Sequence, residues 1–247
     1  MLRGDIVNKK ALLCIILSGI LWGTTGLFVR VLSDVGLSSV QMTAVRGLSA
    51  ALCFVIYVFF KDKSLFELTK RKFFLYLISG ACMALTSCSY FLSIQFSSVS
   101  TAVVLMYTAP IFVMIYSVAF MGEKFTKIKL LALVLVMAGS CLVSGIIGGF
   151  SYSIKGIIFG LAAGLLYSAY NIFTKIQMKN GFNPTAASMY SFVFMAIIAL
   201  AVSRPVEIGE ALMKNPISII FMIGCGVVTC ALPYFLYTLS LKFLPVG

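Results

Sequence analysis

Residues 19–43 read GILWGTTGLFVRVLSDVGLSSVQMT, and residues 164–188 read GLLYSAYNIFTKIQMKNGFNPTAAS. Laid over one another at an offset of 145, they put Gly19 on Gly164, Trp22 on Tyr167, Phe28 on Phe173, Arg30 on Lys175, Gly36 on Gly181 and Thr43 on Ser188. Each stretch holds an apolar run, a short polar turn with a glycine, and the start of another apolar run. What repeats is therefore a helical hairpin and not a single helix. Farther on, at an offset of 144, Gly80 meets Gly224 and Tyr90-Phe91-Leu92 meets Tyr234-Phe235-Leu236.

The apolar runs decide the fold class. Of 247 residues, 61% are hydrophobic and 11% charged, with a mean hydropathy of +1.09, whereas soluble chains carry about 25% charged residues. A bilayer core of about 30 Å needs about 20 apolar residues per helical span. Eight stretches qualify: 11–31, 40–60, 73–95, 100–120, 128–147, 155–176, 185–203 and 216–241. The longest linker runs only from Lys61 to Lys72, so no soluble domain fits between them. The expectation is an all-α integral membrane protein. Five spans precede the second copy of the hairpin, and an odd number makes that copy enter the membrane from the other side. Residues 1–147 then form a first five-helix repeat and 148–247 a second, inverted one. The second copy stops at Gly247, opposite Val99 and Ser100, so the equivalents of Ser100 through Gly145 are expected to be missing, leaving eight spans of an expected ten.

The formal charge of +12 does not indicate nucleic acid, because the cations follow topology. With the N-terminus inside, Lys9 and Lys10, the cluster Lys61, Lys63, Lys70, Arg71 and Lys72, and Lys175 with Lys179 all face the cytoplasm. Arg30, Lys155, Arg204 and Lys214 alone lie outside. That bias places the N-terminus in the cytoplasm of a multi-pass protein of the cell (plasma) membrane, a bacterial inner membrane being the expected setting. Lys9 and Lys10 before an apolar run resemble a signal peptide, but the run is long, lacks a cleavage site and belongs to the repeat. The seven cysteines all lie in spans without a C-x-x-C pair, and read as small buried hydrophobes.

The carboxylates, Asp5, Asp34, Asp62, Glu67, Glu123, Glu207 and Glu210, all fall in loops or at helix ends, and the chain has no histidine. No intramembrane proton relay through acids or histidines is visible. Zinc-dependent and serine–histidine hydrolases lack their ligands and bases, so an enzyme is not expected, and neither a metal nor a cofactor. Inverted repeats are instead the architecture of secondary transporters, in which two similar halves exchange inward-open and outward-open shapes.

Several stretches resemble the EamA-type branch of the drug/metabolite transporter superfamily. They are Leu21-Trp22-Gly23-Thr24 in the first span, Ala44-Val45-Arg46-Gly47-Leu48 in the second, Pro110 in the fourth, Gly122-Glu123-Lys124 before the fifth, and Gly139 within it. The resemblance implies ten helices, a central substrate cavity between the repeats, alternating access, and movement of metabolites such as amino acids. Ser191 stands where Arg46 would repeat, and Ser89 where Pro233 would, so the halves are not chemically equivalent.

Candidate substrate-binding side chains are Trp22, Thr25, Arg46, Tyr90, Tyr107, Tyr167, Asn171 and Tyr234. Pockets for small molecules join aromatic walls to a few oriented polar groups, and the repeat makes Trp22 equivalent to Tyr167, and Tyr90 to Tyr234. Arg46 is the one charge deep in a span. It needs a partner or a wet cavity, and two roles are open: bonding carbonyls between helices, or binding a substrate carboxylate. Asn171 carries an amide that lipid cannot satisfy. Glu123 reads as a helix N-terminal cap. Gly156, Gly160, Gly164 and Ser168 form a small-residue stripe for close packing, partly repeated by Gly19 and Gly23. Pro110 and Pro233 should loosen their spans. The partners expected are a small-molecule substrate and the lipid bilayer, with no nucleic acid. A lipid or lipid-linked head-group flippase on the same fold, and a non-transporting membrane fragment, are the alternatives to a metabolite carrier.

Overall fold

In hydrocarbon the backbone must satisfy its own hydrogen bonds, and a run of about 20 apolar residues does so as a helix. The computed structural model describes residues 9–121, 126–143 and 153–240, and among them every regular element is helical. The helices are α1 (Lys9–Gly23), α2 (Thr25–Asp34), α3 (Ser39–Lys61), α4 (Lys70–Phe96), α5 (Val99–Met106), α6 (Ala109–Met121), α7 (Lys127–Val143), α8 (Ile154–Lys179), α9 (Pro184–Val202), α10 (Pro205–Lys214), α11 (Ser218–Gly226) and α12 (Leu232–Ser240). A 3-10 turn (Lys63–Phe66) follows α3, and a π-helical segment (Val227–Ala231) joins α11 to α12.

Seven helical stretches among the described residues are long and apolar enough to cross a membrane: Ala11–Asp34, Ser39–Lys61, Lys70–Phe96, Val99–Phe120, Ile154–Lys179, Pro184–Val202 and Ser218–Tyr237. The sequence reading gave eight. The remaining one, 128–147, coincides with α7, described over 17 residues, and is not among the seven. Its last residues lie outside the described part of the chain, as do Asp5, Gly122-Glu123-Lys124 and Lys242.

The repeat is visible in the corners. After α2, Leu37 N donates to Leu32 O and Gly36 N to Ser33 O; after α8, Phe182 N donates to Gln177 O and Gly181 N to Met178 O. Both are Schellman motifs, and both need a left-handed residue. Gly36 (φ 91°) and Gly181 (φ 74°) supply it. The next helix then starts from a side-chain cap in each copy. Ser38 accepts from Gln41 N, while Asn183 accepts from Thr185 N and Ala186 N, which satisfies amides that would otherwise be orphaned.

Two compact units form. The first is built from the described residues of Met1–Glu67 and Asn183–Gly247, and the second from Leu68–Phe182. In the first, α3 packs along α9, its equivalent in the other repeat. A Cβ on Gly47 would sit 3.1 Å from Ala196 N, and farther along Phe54 stacks on Phe192 with ring centroids 5.6 Å apart. Numbers rise on one helix as they fall on the other, so the equivalent spans run antiparallel, as inversion requires. Also in the first unit, α11–α12 packs on α1–α2, through Ser18 Oγ donating to Pro233 O at 3.0 Å and Phe28 against Phe221.

The second unit contains the matching pair from the repeat, α4 on α8. Ser93 Oγ donates to Gly156 O (2.8 Å) at one end. Gln177 Nε2 donates to Leu75 O (3.0 Å) and Ser79 Oγ (2.6 Å) at the other. The glycine stripe of α8 faces this unit. A Cβ on Gly160 would lie 2.5 Å from Leu105 Cδ1, and one on Gly164 would lie 2.9 Å from Leu105 O. On α1, no atom among the described residues lies within 4 Å of where a Cβ on Gly19 or Gly23 would sit. Spacing aligns these glycines on one helical face, and no described helix reaches a Cβ built there.

Candidate functional site

Three spans are interrupted, and each interruption lies beside candidate residues. In the first span α1 ends at Gly23 and α2 begins at Thr25. Two consecutive threonines lie at the break: Thr24 Oγ1 donates to Leu21 O and Thr25 Oγ1 to Trp22 O, both at 2.7 Å. Such hydroxyls compete for backbone acceptors and loosen helices. In the fourth span α5 stops at Met106 and α6 starts at Ala109, just ahead of Pro110, whose missing N–H interrupts the ladder as expected. Thr108 Oγ1 donates to Leu105 O at 2.7 Å. In the eighth span the π-helical segment precedes Pro233, where Thr229 Oγ1 donates to Cys225 O of the same span and a further donor comes from another helix. Arg46 Nη2 of α3 bonds Thr229 O at 3.1 Å.

In the first unit the aromatic candidates form a connected set. Trp22, in the last turn of α1, meets Tyr234 edge-on at 5.4 Å and Tyr237 at 6.2 Å. Tyr234 in turn meets Phe192 edge-on at 5.1 Å, and Phe192 stacks on Phe54. Edge-to-face contacts of this kind favour a fixed ring orientation beyond simple burial. Tyr234 is 7% exposed and Trp22 is half-buried. Thr25 is buried and its hydroxyl is turned back onto its own helix. Arg46 is 9% exposed, and its guanidinium lies on a fully buried carbonyl.

In the second unit Tyr167 lies parallel to Tyr170 at 6.1 Å. The Asn171 amide donates to Tyr167 O at 2.9 Å, so it finds its partner one turn back in its own helix. Tyr90 is buried against Phe91. Tyr107 is 42% exposed at the interruption of the fourth span. Lys175 Nζ donates to Ser117 Oγ at 3.4 Å. Sequence reasoning missed Gln177, which is fully buried and ties α8 to α4. A lone amide within an apolar stretch was the signal available for it. It also missed Phe192 and Thr229, an ordinary phenylalanine and threonine whose importance depends entirely on which helices meet there.

The model of the EamA-like transporter family matches residues 9–145 and then again 154–247. The two matches begin 145 residues apart, the offset of the internal repeat. An uncharacterized transporter of Archaeoglobus fulgidus is 30% identical over 237 residues, 94% of this chain and 78% of that protein. The uncharacterized transporter YxxF of Bacillus subtilis (strain 168) is 25% identical over 246 residues, 96% of this chain and 75% of that protein. One protein crystal structure superposes with a TM-score of 0.68 over 95% of this chain and 80% of that one, at 14% identity, a likeness of fold. With the family matched across both repeats, the chain belongs to the EamA-like transporter family and is a multi-pass membrane transporter.

Proposed function

We propose that the protein moves small organic solutes, amino acids among them, across the cell membrane by alternating access, with its N-terminus in the cytoplasm. The observation that carries this reading is the inverted repeat, whose equivalent helices α3 and α9 run antiparallel in one unit. A duplicated, inverted unit can adopt two shapes of similar energy, which is what alternate opening to the two sides demands. Interrupted spans add backbone groups and small movable segments at membrane depth. The solute-contacting groups assigned are Trp22, Thr25 and Tyr234 in the first unit, and Tyr90, Tyr107, Tyr167 and Asn171 in the second. Aromatic walls with few charges suit solutes that are compact and partly apolar. Arg46 is assigned to the eighth span and not to the solute.

The test is flux. Purified protein in liposomes, offered radiolabelled amino acids and other small metabolites one at a time, is expected to give saturable uptake above empty vesicles for at least one class. Trp22→Ala and Tyr167→Ala should each lower that uptake about tenfold or more, the usual effect of removing part of a pocket wall. Absence of solute flux together with transbilayer movement of a fluorescent phospholipid would replace the carrier by a flippase.

A further inference from the structure

The eighth span has a hydroxyl turned back onto its own backbone, Thr229 Oγ1 on Cys225 O at 2.5 Å, and in addition a donor from another helix. Thr24, Thr25 and Thr108 supply hydroxyl donors to carbonyls within their own spans. Pro233 has no N–H, so the α-helical bond to the carbonyl four residues earlier, that of Thr229, cannot form. The segment around it winds as a π-helix, with Leu232 N reaching back to Val227 O. Thr229 is fully buried, and a carbonyl left without a donor in such a place is costly. Arg46 Nη2 reaches it at 3.1 Å. Close approach of the helices makes the reach possible: a Cβ on Gly226 would overlap Ser49 Cβ and would lie 2.9 Å from Arg46 O.

The repeat provides an internal control. The equivalent of Pro233 is Ser89, and the equivalent of Arg46 is Ser191. Where the proline is absent the arginine is absent too, and α4, the equivalent of the eighth span, runs as one uninterrupted α-helix from Lys70 to Phe96. An arginine retained for charge or for a solute carboxylate has no reason to keep company with a proline on a different helix. A donor held in place for an orphaned carbonyl does.

We propose that Arg46 and Pro233 form one functional pair: the proline opens the eighth span at Thr229, and the guanidinium holds that opening closed by standing in for the missing N–H. Arg46 is thus a positioning residue acting through the Thr229 carbonyl, and the span can loosen there only as the guanidinium lets go. This inference does not depend on which solute is carried, nor on transport being observed.

The test uses the whole chain as wild type, Arg46→Met, Pro233→Ser and the double variant, purified in one detergent and treated with N-ethylmaleimide. Modification of Cys225 and Cys230 is followed peptide by peptide by mass spectrometry. Both thiols flank Thr229 and are 1% and 0% exposed, so their reaction reports opening of the segment without any substrate. Loss of a hydrogen bond to a charged donor is expected to raise labelling in Arg46→Met about ten- to a hundredfold. Pro233→Ser alone should stay within about twofold of wild type, and the double variant should return close to it, because the restored N–H makes the arginine dispensable. Labelling of the double variant as fast as that of Arg46→Met would overturn the pairing, as would an Arg46→Met variant no faster than wild type. Should Arg46→Met not fold, Arg46→Lys takes its place. It should label faster than wild type, and adding Pro233→Ser should slow it again; no slowing would overturn the proposal.

Discussion

Single positions in this protein matter most where a helix is approached by backbone. A methyl group at Gly226 would collide with Ser49 Cβ and crowd Arg46 O, neither of which can swing away. Gly226→Ala is therefore expected to destabilise the protein by about 1–3 kcal/mol, the usual cost of overpacking a filled interior, as read by thermal unfolding in detergent. Gln177 is the polar counterpart. Its amide donates to both Leu75 O and Ser79 Oγ in a fully buried place, so Gln177→Leu should cost about 1–3 kcal/mol through the acceptors it strands. The same assay checks it, and unchanged unfolding would remove the link from the list of what joins α4 to α8. At this scale the sequence spoke unevenly. The spacing of Gly156, Gly160 and Gly164 announced a packing face, and their neighbours Ser97, Leu105 and Thr108 supply the opposing surface. The same spacing at Gly19 and Gly23 announced a face that no described residue meets. Periodicity tells which residues share a side of a helix, but what lies opposite is decided by contacts far away in the chain.

At the level of helices, boundaries were legible wherever a local chemical cause sets them. Asn183 followed by Pro184 starts α9, and Ser38 with Gln41 makes a capping box for α3. Asn183→Ala and Ser38→Ala should each lower stability by about 1 kcal/mol, the ordinary worth of such a cap, measured as a drop in the unfolding midpoint. Proline marked the interruptions of the fourth and eighth spans, since a missing N–H is written in the sequence itself. The interruption of the first span was not read, because it depends on the hydroxyls of Thr24 and Thr25 turning back onto Leu21 O and Trp22 O. Threonines in a span are equally free to face a neighbouring helix. The candidate site follows the same rule. Trp22 and Tyr234 were named from their residue type, but that they touch, and that Phe192 joins them, required the packing of α1, α9 and α12.

For the molecule as a whole, the internal repeat was the most legible property, and the antiparallel packing of α3 on α9 is what inversion of its copies requires, although seven and not eight helices among the described residues are long enough to span. The proposed orientation puts the α2–α3 corner and α10 on the outer face and the 3-10 turn after α3 on the inner one. Gln41 Nε2, near the start of α3, donates to Glu207 Oε2 of α10 at 3.0 Å, which places those two elements at one end of the first unit. Cysteines introduced at Asp34 and Glu210 are expected to react in right-side-out vesicles with a reagent that cannot cross the bilayer. One introduced at Lys63 should react only after the vesicles are opened, and the reverse pattern would turn the protein over in the membrane. The two Schellman corners carry a further consequence. Each is held by a pair of backbone hydrogen bonds and a glycine that no other residue replaces without strain, so each helix end is a stiff stop that resists unwinding. Among the described residues, Thr24, Tyr107 with Thr108, and the segment before Pro233 are the places within spans where the helical ladder is broken and bending meets least resistance. A covalent staple across either corner should leave the machine running, whereas one across any of those three joints should jam it.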